Sequence, residues 1–254
     1  MSAILETSLR NRVLHVRMNR PEKRNALSVE LCRELVRVIE AADNSRTAGA
    51  VLLTAAGPSF CAGMDLAEIV NADTRVVDTV QEQLFTVGAR IDTPIVAAVC
   101  GPALGGGAGL VANCHAVVAS PQATFGLTEI RLGLWPFLIF RTMAAALGER
   151  RAVELSLTGR IFPAAEAKEI GLVHYVSDTA EEQALALAES IAAFSPTAIR
   201  TGLSYVQEIR GLNYRQAGDI GRHLRAQIFN GADFREGIAA FREKRRPKWP
   251  SLSE

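Results

Sequence analysis

Twice in its first half the chain writes a short apolar run, then a glycine-rich turn, then a segment that can be helical. The first instance is Ala50-Val51-Leu52-Leu53 followed by Ser59-Phe60-Cys61-Ala62-Gly63-Met64-Asp65-Leu66. The second is Ile95-Val96-Ala97-Ala98-Val99 followed by Gly101-Pro102-Ala103-Leu104-Gly105-Gly106-Gly107-Ala108-Gly109. Short apolar runs bounded by turn signals read as buried strands. A tight turn into a helix leaves backbone N–H groups without intrahelical acceptors. Two such turns brought together would aim two amides at one oxygen and stabilise negative charge developing on it.

The second instance lies inside a stretch from Asp92 to Glu129 with no Asp, Glu, Lys or Arg between its ends. Its length would suffice to cross a bilayer. Pro94, Gly101, Pro102, the Gly105–Gly107 run, Asn113 and His115 break it, and lipid could not satisfy the interrupted backbone. Strand, turn, helix and strand, all buried at the centre of a fold, is the expected reading. With 254 residues the chain can build one full core. A net charge of +1 gives no reason to expect nucleic acid or an anionic membrane. Cys32, Cys61, Cys100 and Cys114 lack metal-type spacing and read as reduced thiols. The N-terminus shows neither a basic leader nor an apolar one, so a cytoplasmic location is expected.

Residues 1–18 alternate loosely and predict a strand pair turning at Asn11-Arg12. Ser28 is placed to cap a helix over 29–43, with Leu31, Leu35, Val38 and Ile39 on one face. Residues 49–54 read as a strand, Asp65–Ala72 as a helix, and 73–90 as a helix through Val76, Val80, Leu84 and Val87. Ile95–Val99 and Ala116–Ala119 read as strands around a helix at 106–113. Gly148–Leu155 reads as a helix, and another is bracketed by Pro163 at its first position and Gly171 beyond its end. Leu172–Val176 reads as a last strand, and from Glu181 the chain is nearly all helix. Asp233 with Glu236 resembles a capping box, ahead of a face carrying Phe234, Ile238 and Phe241. The pattern predicts an α/β core with a helical C-terminal unit, divided here as 1–195 and 196–254.

The run Gly107-Ala108-Gly109-Leu110-Val111-Ala112 also fits a dinucleotide-binding pattern. No acid sits at the tip of the following strand, and that reading leaves the first glycine turn unexplained. Phosphate-loop, nucleophile-elbow and paired-histidine zinc motifs are missing from the sequence.

Several blocks together resemble the enoyl-CoA hydratase/isomerase (crotonase) superfamily. They are Asn19-Arg20-Pro21-Glu22-Lys23-Arg24-Asn25-Ala26-Leu27, the two glycine segments, Phe125-Gly126-Leu127-Thr128-Glu129, Ala164-Ala165-Glu166-Ala167 with Gly171-Leu172-Val173, and Phe241-Arg242-Glu243-Lys244-Arg245. The resemblance spans nearly the whole chain. It implies a spiral of repeated ββα units, a helical C-terminal trimerisation region, and a homotrimer or dimer of trimers. It also implies acyl-CoA thioester substrates and no cofactor beyond the CoA the substrate carries.

Carried over by matching position, the backbone N–H groups of Met64 and Gly106 form the oxyanion hole, and Glu129 moves the proton. Ala26, Ala62, Gly63, Asp65, Leu66 and Gly105 belong to the substrate and CoA site. Lys23 and Arg24 approach the CoA phosphates, while Phe241 and Lys244 reach a neighbouring subunit's CoA. The Asp65 side chain is expected to cap local amides. Family hydratases carry a second glutamate two residues after the glycine run, where this chain has Gly109. One carboxylate could still hold the attacking water alone. Hydration of a trans-2-enoyl-CoA is the leading expectation; the alternatives are a Δ3,Δ2-isomerase, in which the carboxylate shuttles a proton between the α- and γ-carbons of a 3-enoyl thioester, and a non-catalytic acyl-CoA-binding or scaffold protein. Leu134-Trp135-Pro136-Phe137 reads either as an apolar pocket wall or as core packing.

Overall fold

The computed structural model describes residues 3–70 and 72–252. Strands β1 (Leu5–Arg10) and β2 (Val13–Met18) pair antiparallel, and both turn residues between them adopt positive φ, 50° at Asn11 and 61° at Arg12. Such a turn matches the twist of its flanking strands. β3 (Ala50–Ala55) and β4 (Ile95–Val99) extend the sheet in parallel. Next come β5 (Ala103–Leu104), β6 (Ala116–Ala119), β7 (Thr124–Gly126), β8 (Ile161–Pro163) and β9 (Tyr175–Val176). The main sheet has the order β1-β2-β3-β4-β6-β9, parallel beyond the first pair. A second, small sheet has the order β5-β7-β8.

Helices alternate with the strands and pack around the main sheet and on one another. They are α1 (Val29–Ser45), α2 (Leu66–Ile69), α3 (Thr74–Thr86), α4 (Gly106–Ala112), α5 (Phe137–Leu147), α6 (Glu149–Thr158), α7 (Ala164–Glu169) and α8 (Ala180–Ala192). Alternate residues of each strand serve different layers. Val51, Leu53, Ala97, Val99, Val117 and Ala119 join the large core. Ala50, Leu52, Val96, Ala98 and Val118 face Ala180, Ala184, Ala188 and Ala192 of α8. Burial on both sides explains why these strands read as unbroken apolar runs. The alanine stripe brings α8 close: a Cβ on Gly49 would stand 2.9 Å from the Ala192 Cα. The uncharged stretch thus runs as β4, β5, α4, β6 and β7 through the centre of the molecule. Among the described residues no helix is long and apolar enough to cross a membrane.

From residue 196 the chain is helical, with α9 (Pro196–Glu208), α10 (Tyr214–Phe229) and α11 (Ala232–Glu243). The mixed α/β class with a helical C-terminal region is as expected.

Several local expectations need correction. The buried face of α3 carries Val77, Val80, Gln81, Leu84 and Phe85, while Val76 is 38% exposed and Val87 begins a separate 3-10 turn. The helix after the first glycine loop spans only Leu66–Ile69. Pro163 ends β8 and stands at the N-cap of α7 rather than inside it. The last strand shrinks to Tyr175–Val176, because Leu172 and Val173 pack into the core instead. Asp233 caps nothing at the start of α11. Its carboxylate accepts from the hydroxyls of Ser195 and Ser251 and so ties α11 to the start of α9 and the C-terminal segment.

Candidate active site

The first glycine loop is clamped by the polar turn that precedes α1. Asn25 is wholly buried, and its Nδ2 donates to the carbonyls of Ala56 (2.8 Å) and Ser59 (2.9 Å). The Ala62 N–H donates to Arg24 O at 3.0 Å. Leu27 then pairs with Met64 in a parallel bridge: Leu27 N–H donates to Gly63 O (2.8 Å), and Asp65 N–H donates to Leu27 O (3.2 Å). That bridge consumes the peptide groups flanking Met64 and turns Met64's own N–H to the other side. Ser28 caps α1 as expected, accepting from Leu31 N–H at 3.2 Å.

The second loop is held against the first. Cys61 bridges to Ala103, its N–H donating to Pro102 O and its carbonyl accepting from Leu104 N–H. Gly105 has φ +52° and ψ −123°, and its N–H donates to Gly126 O at 2.8 Å. This sharp turn aims the Gly106 N–H out of the start of α4. A Cβ on Gly63 would lie 2.9 Å from Leu104 O and 3.6 Å from Gly106 N, so the loops touch with no room for side chains between them. The N–H groups of Met64 and Gly106 have no acceptor among the described residues.

Glu129 enters from the 3-10 turn Thr128–Leu132, which directly follows β7 of the small sheet. The Gly105–Gly126 hydrogen bond therefore fixes the glycine loop and the glutamate to the same short strand. The carboxyl lies against Gly105, where a Cβ would stand 3.0 Å from Oε1 and 3.6 Å from Oε2. Glu129 is 7% exposed, and its Oε2 is buried without a hydrogen-bond partner. Burial pushes its carboxyl above the ordinary glutamate range, with its own backbone N–H pulling weakly the other way.

These groups open onto a cavity of about 330 Å³, walled by Phe85 of α3 and by Leu134, Trp135, Pro136 and Phe137. The apolar segment ahead of α5 is thus a cavity wall. Cys61 lies behind the loop, and burial pushes its thiol up to about 12, so it stays protonated.

Gly109 decides the fate of the missing carboxylate. A Cβ there would lie 2.3 Å from Ile139 Cγ2 and 2.7 Å from Ile139 Cβ. The volume in which a second glutamate would begin is occupied by an isoleucine of α5. Sequence reasoning missed Ile139, and it missed Gln81 and Asp78 of α3, which line the cavity with Phe85. The helical spacing of 78, 81 and 85 was a usable signal.

The Asp65 expectation is corrected. Its carboxylate makes no capping bond and instead pairs with Arg20 Nη2 at 3.1 Å, while Arg20 Nη1 donates to Ala26 O at 2.6 Å. The largely buried pair braces the first glycine loop against the polar turn. Lys23 and Arg24 are exposed beside Ala62, and Leu66 is 48% exposed at the start of α2. Phe241 and Lys244 lie on and just after α11, both exposed, and neither lines the cavity; Phe241 is 84% exposed. Among the described residues no cluster of three or more His, Cys, Asp or Glu side chains is placed to hold a metal ion.

Fold and loop geometry together define a class, and the comparisons agree. Residues 8–251 match the family model described as enoyl-CoA hydratase/isomerase. A mevalonyl-coenzyme A hydratase of Aspergillus fumigatus is 35% identical over 93% of this chain and 91% of its own. An enoyl-CoA hydratase of Mycobacterium tuberculosis is 35% identical over 94% of each chain. The crystal structure of an enoyl-CoA hydratase from Mycobacterium smegmatis superposes with a TM-score of 0.92 at 27% identity, covering 98% of this chain and 99% of that one. The chain belongs to the enoyl-CoA hydratase/isomerase family of crotonase-fold enzymes.

Proposed function

We propose that this protein adds water across the conjugated double bond of a trans-2-enoyl-CoA, giving the 3-hydroxyacyl-CoA. The observation that carries the reading is the buried, unpartnered Glu129 carboxyl oxygen beside two backbone N–H groups that have no acceptor. The thioester carbonyl oxygen sits between the N–H groups of Met64 and Gly106. Glu129, ionised, takes a proton from a water molecule as the water oxygen bonds to C3. The electron pair of the double bond moves onto the thioester as an enolate, whose oxygen the two amides stabilise. One such donor is worth about 2.7–4 kcal/mol. Glu129 then returns the proton to C2, and every atom of the water is in the product. The names of the relatives support hydration as the direction.

Lys23 and Arg24 meet the CoA phosphates, where cations are favoured. Phe241 and Lys244 complete the CoA site of a neighbouring chain in a homotrimer or dimer of trimers. No cofactor beyond the substrate's CoA enters the reaction, which takes place in the cytoplasm. A Δ3,Δ2-isomerase is the second reading, favoured by one observation. Ile139 fills the second carboxylate's place, and proton shuttling needs only one carboxylate.

Mixing the protein with a short trans-2-enoyl-CoA tests the choice. Loss of the conjugated thioester absorbance, with a product heavier by one water in the mass spectrum, is expected. An unchanged 2-enoyl-CoA together with conversion of a 3-enoyl-CoA into the conjugated isomer would replace hydration by isomerisation.

A further inference from the structure

Helix α3 offers Asp78, Gln81 and Phe85 to the cavity at successive turns. Phe85 marks the end near the reacting groups, its Cζ 3.0 Å from where a Cβ on Gly106 would stand. Asp78 is exposed at the other end. Gln81 lies between them. It lines the cavity and is only 4% exposed, yet its amide atoms are not sealed off, since the buried side-chain polar atom without a partner among the described residues is Glu129 Oε2. The wall around it is hydrocarbon and aromatic, from Leu134, Trp135 and Phe137. A plain alkyl chain filling the cavity would cut this amide off from water and leave both its donor and its acceptor unmet. A site holding such a group favours ligands that satisfy it and rejects analogues that do not.

We propose that Gln81 recognises an oxygen on the acyl chain, so that the substrate class is a CoA thioester with a neutral, oxygenated acyl group, hydroxylated or carbonyl-bearing. The proposal rests on the reading of this cavity as the acyl-thioester site. Charge narrows the class further. Asp78 and Glu129 are the ionisable side chains lining the cavity, and no Lys or Arg joins them among the described residues. An acyl chain ending in a carboxylate would meet like charge with no counter-ion. A hydroxyl or carbonyl uses the amide without that repulsion.

The test is calorimetric binding of saturated thioesters, which cannot turn over whichever reaction the enzyme performs. The probes are hexanoyl-CoA, its hydroxylated forms with the hydroxyl on each of the last three carbons, and adipoyl-CoA, titrated into the wild type and Gln81→Leu. At least one hydroxylated form should bind the wild type about tenfold tighter than hexanoyl-CoA, with adipoyl-CoA the weakest. Gln81→Leu should erase that preference while binding hexanoyl-CoA at least as tightly as the wild type. The leucine is close in volume and faces an apolar wall, so its melting temperature should not fall. A wild type that binds hexanoyl-CoA as tightly as every hydroxylated form overturns the proposal, as does a preference surviving in Gln81→Leu or tightest binding by adipoyl-CoA. If none of these thioesters binds, the acyl-thioester reading itself fails. Normal thioester binding without the preference removes only the role of Gln81.

Discussion

Glu129 is kept where its charge is costly. Its protonated form contributes stability that is fully present below the unfolded-state pKa. That contribution is lost as pH rises through the raised folded-state value, because the ionised carboxylate has no partner. Glu129→Gln should therefore melt higher than the wild type at neutral pH. The difference should vanish in acid, where both side chains are neutral. The same substitution should lower kcat by about 10²–10⁴-fold, the usual share of a positioned proton-transfer group. Thermal melts across pH and steady-state kinetics check both. A variant that keeps wild-type kcat removes Glu129 from the mechanism. In the wild type, the acid limb of kcat/KM should lie above the ordinary carboxylate range, since the base must be ionised to accept a proton.

At the scale of elements, the site depends on two loops and one helix contact that tolerate no extra atoms. Gly63 has φ +94°, and a methyl group there would press on Leu104 O at 2.9 Å. Gly63→Ala should lower stability by about 1–3 kcal/mol through backbone strain. It should also cut kcat about a hundredfold, because prising the loops apart misplaces the two amides. Denaturant melts and kinetics on one preparation separate the two effects. Gly109→Glu should lose roughly 1–3 kcal/mol or more by overpacking against Ile139. Adding Ile139→Gly opens the space the glutamate needs. The double variant should be more stable than the sum of the single effects, a coupling that a double-mutant cycle reads. Strict additivity would mean that Ile139 does not fill the carboxylate's place.

For the whole molecule, exposed apolar side chains occur over much of the surface, and the C-terminal helices carry several aromatic ones. Tyr214 is fully exposed and Phe241 nearly so, with Phe229, Phe234 and Ile238 partly exposed. Aromatic side chains left exposed on these helices are of the kind a subunit interface covers. They fit the proposed homotrimer, in which Phe241 and Lys244 serve a neighbour's CoA. Sedimentation equilibrium should give three or six times the mass of one chain. A monomer at assay concentrations that is fully active would detach those two residues from the substrate site.

The sequence by itself determined what depends on near neighbours. The strands β3, β4 and β6, the Asn11-Arg12 turn, the Ser28 cap and the two glycine loops follow from apolar runs, turn chemistry and capping residues within a few positions. The resemblance of those loops to one superfamily pointed to Met64, Gly106 and Glu129, and the fold brings these three to one cavity. Tertiary structure decided what depends on residues far apart in the chain. The expected and real faces of α3 share Val80 and Leu84, but the real one is shifted by about one residue, to Val77, Gln81 and Phe85, which brings Gln81 to the cavity, because packing against α1 and α5 selects the buried stripe. Asp65 and Asp233 left their expected local amides for Arg20, Ser195 and Ser251 once folding put those groups within reach. Gly109 looked like a missing carboxylate. Only the placement of α5 made it a filled volume, since a close-packed interior leaves no space unclaimed.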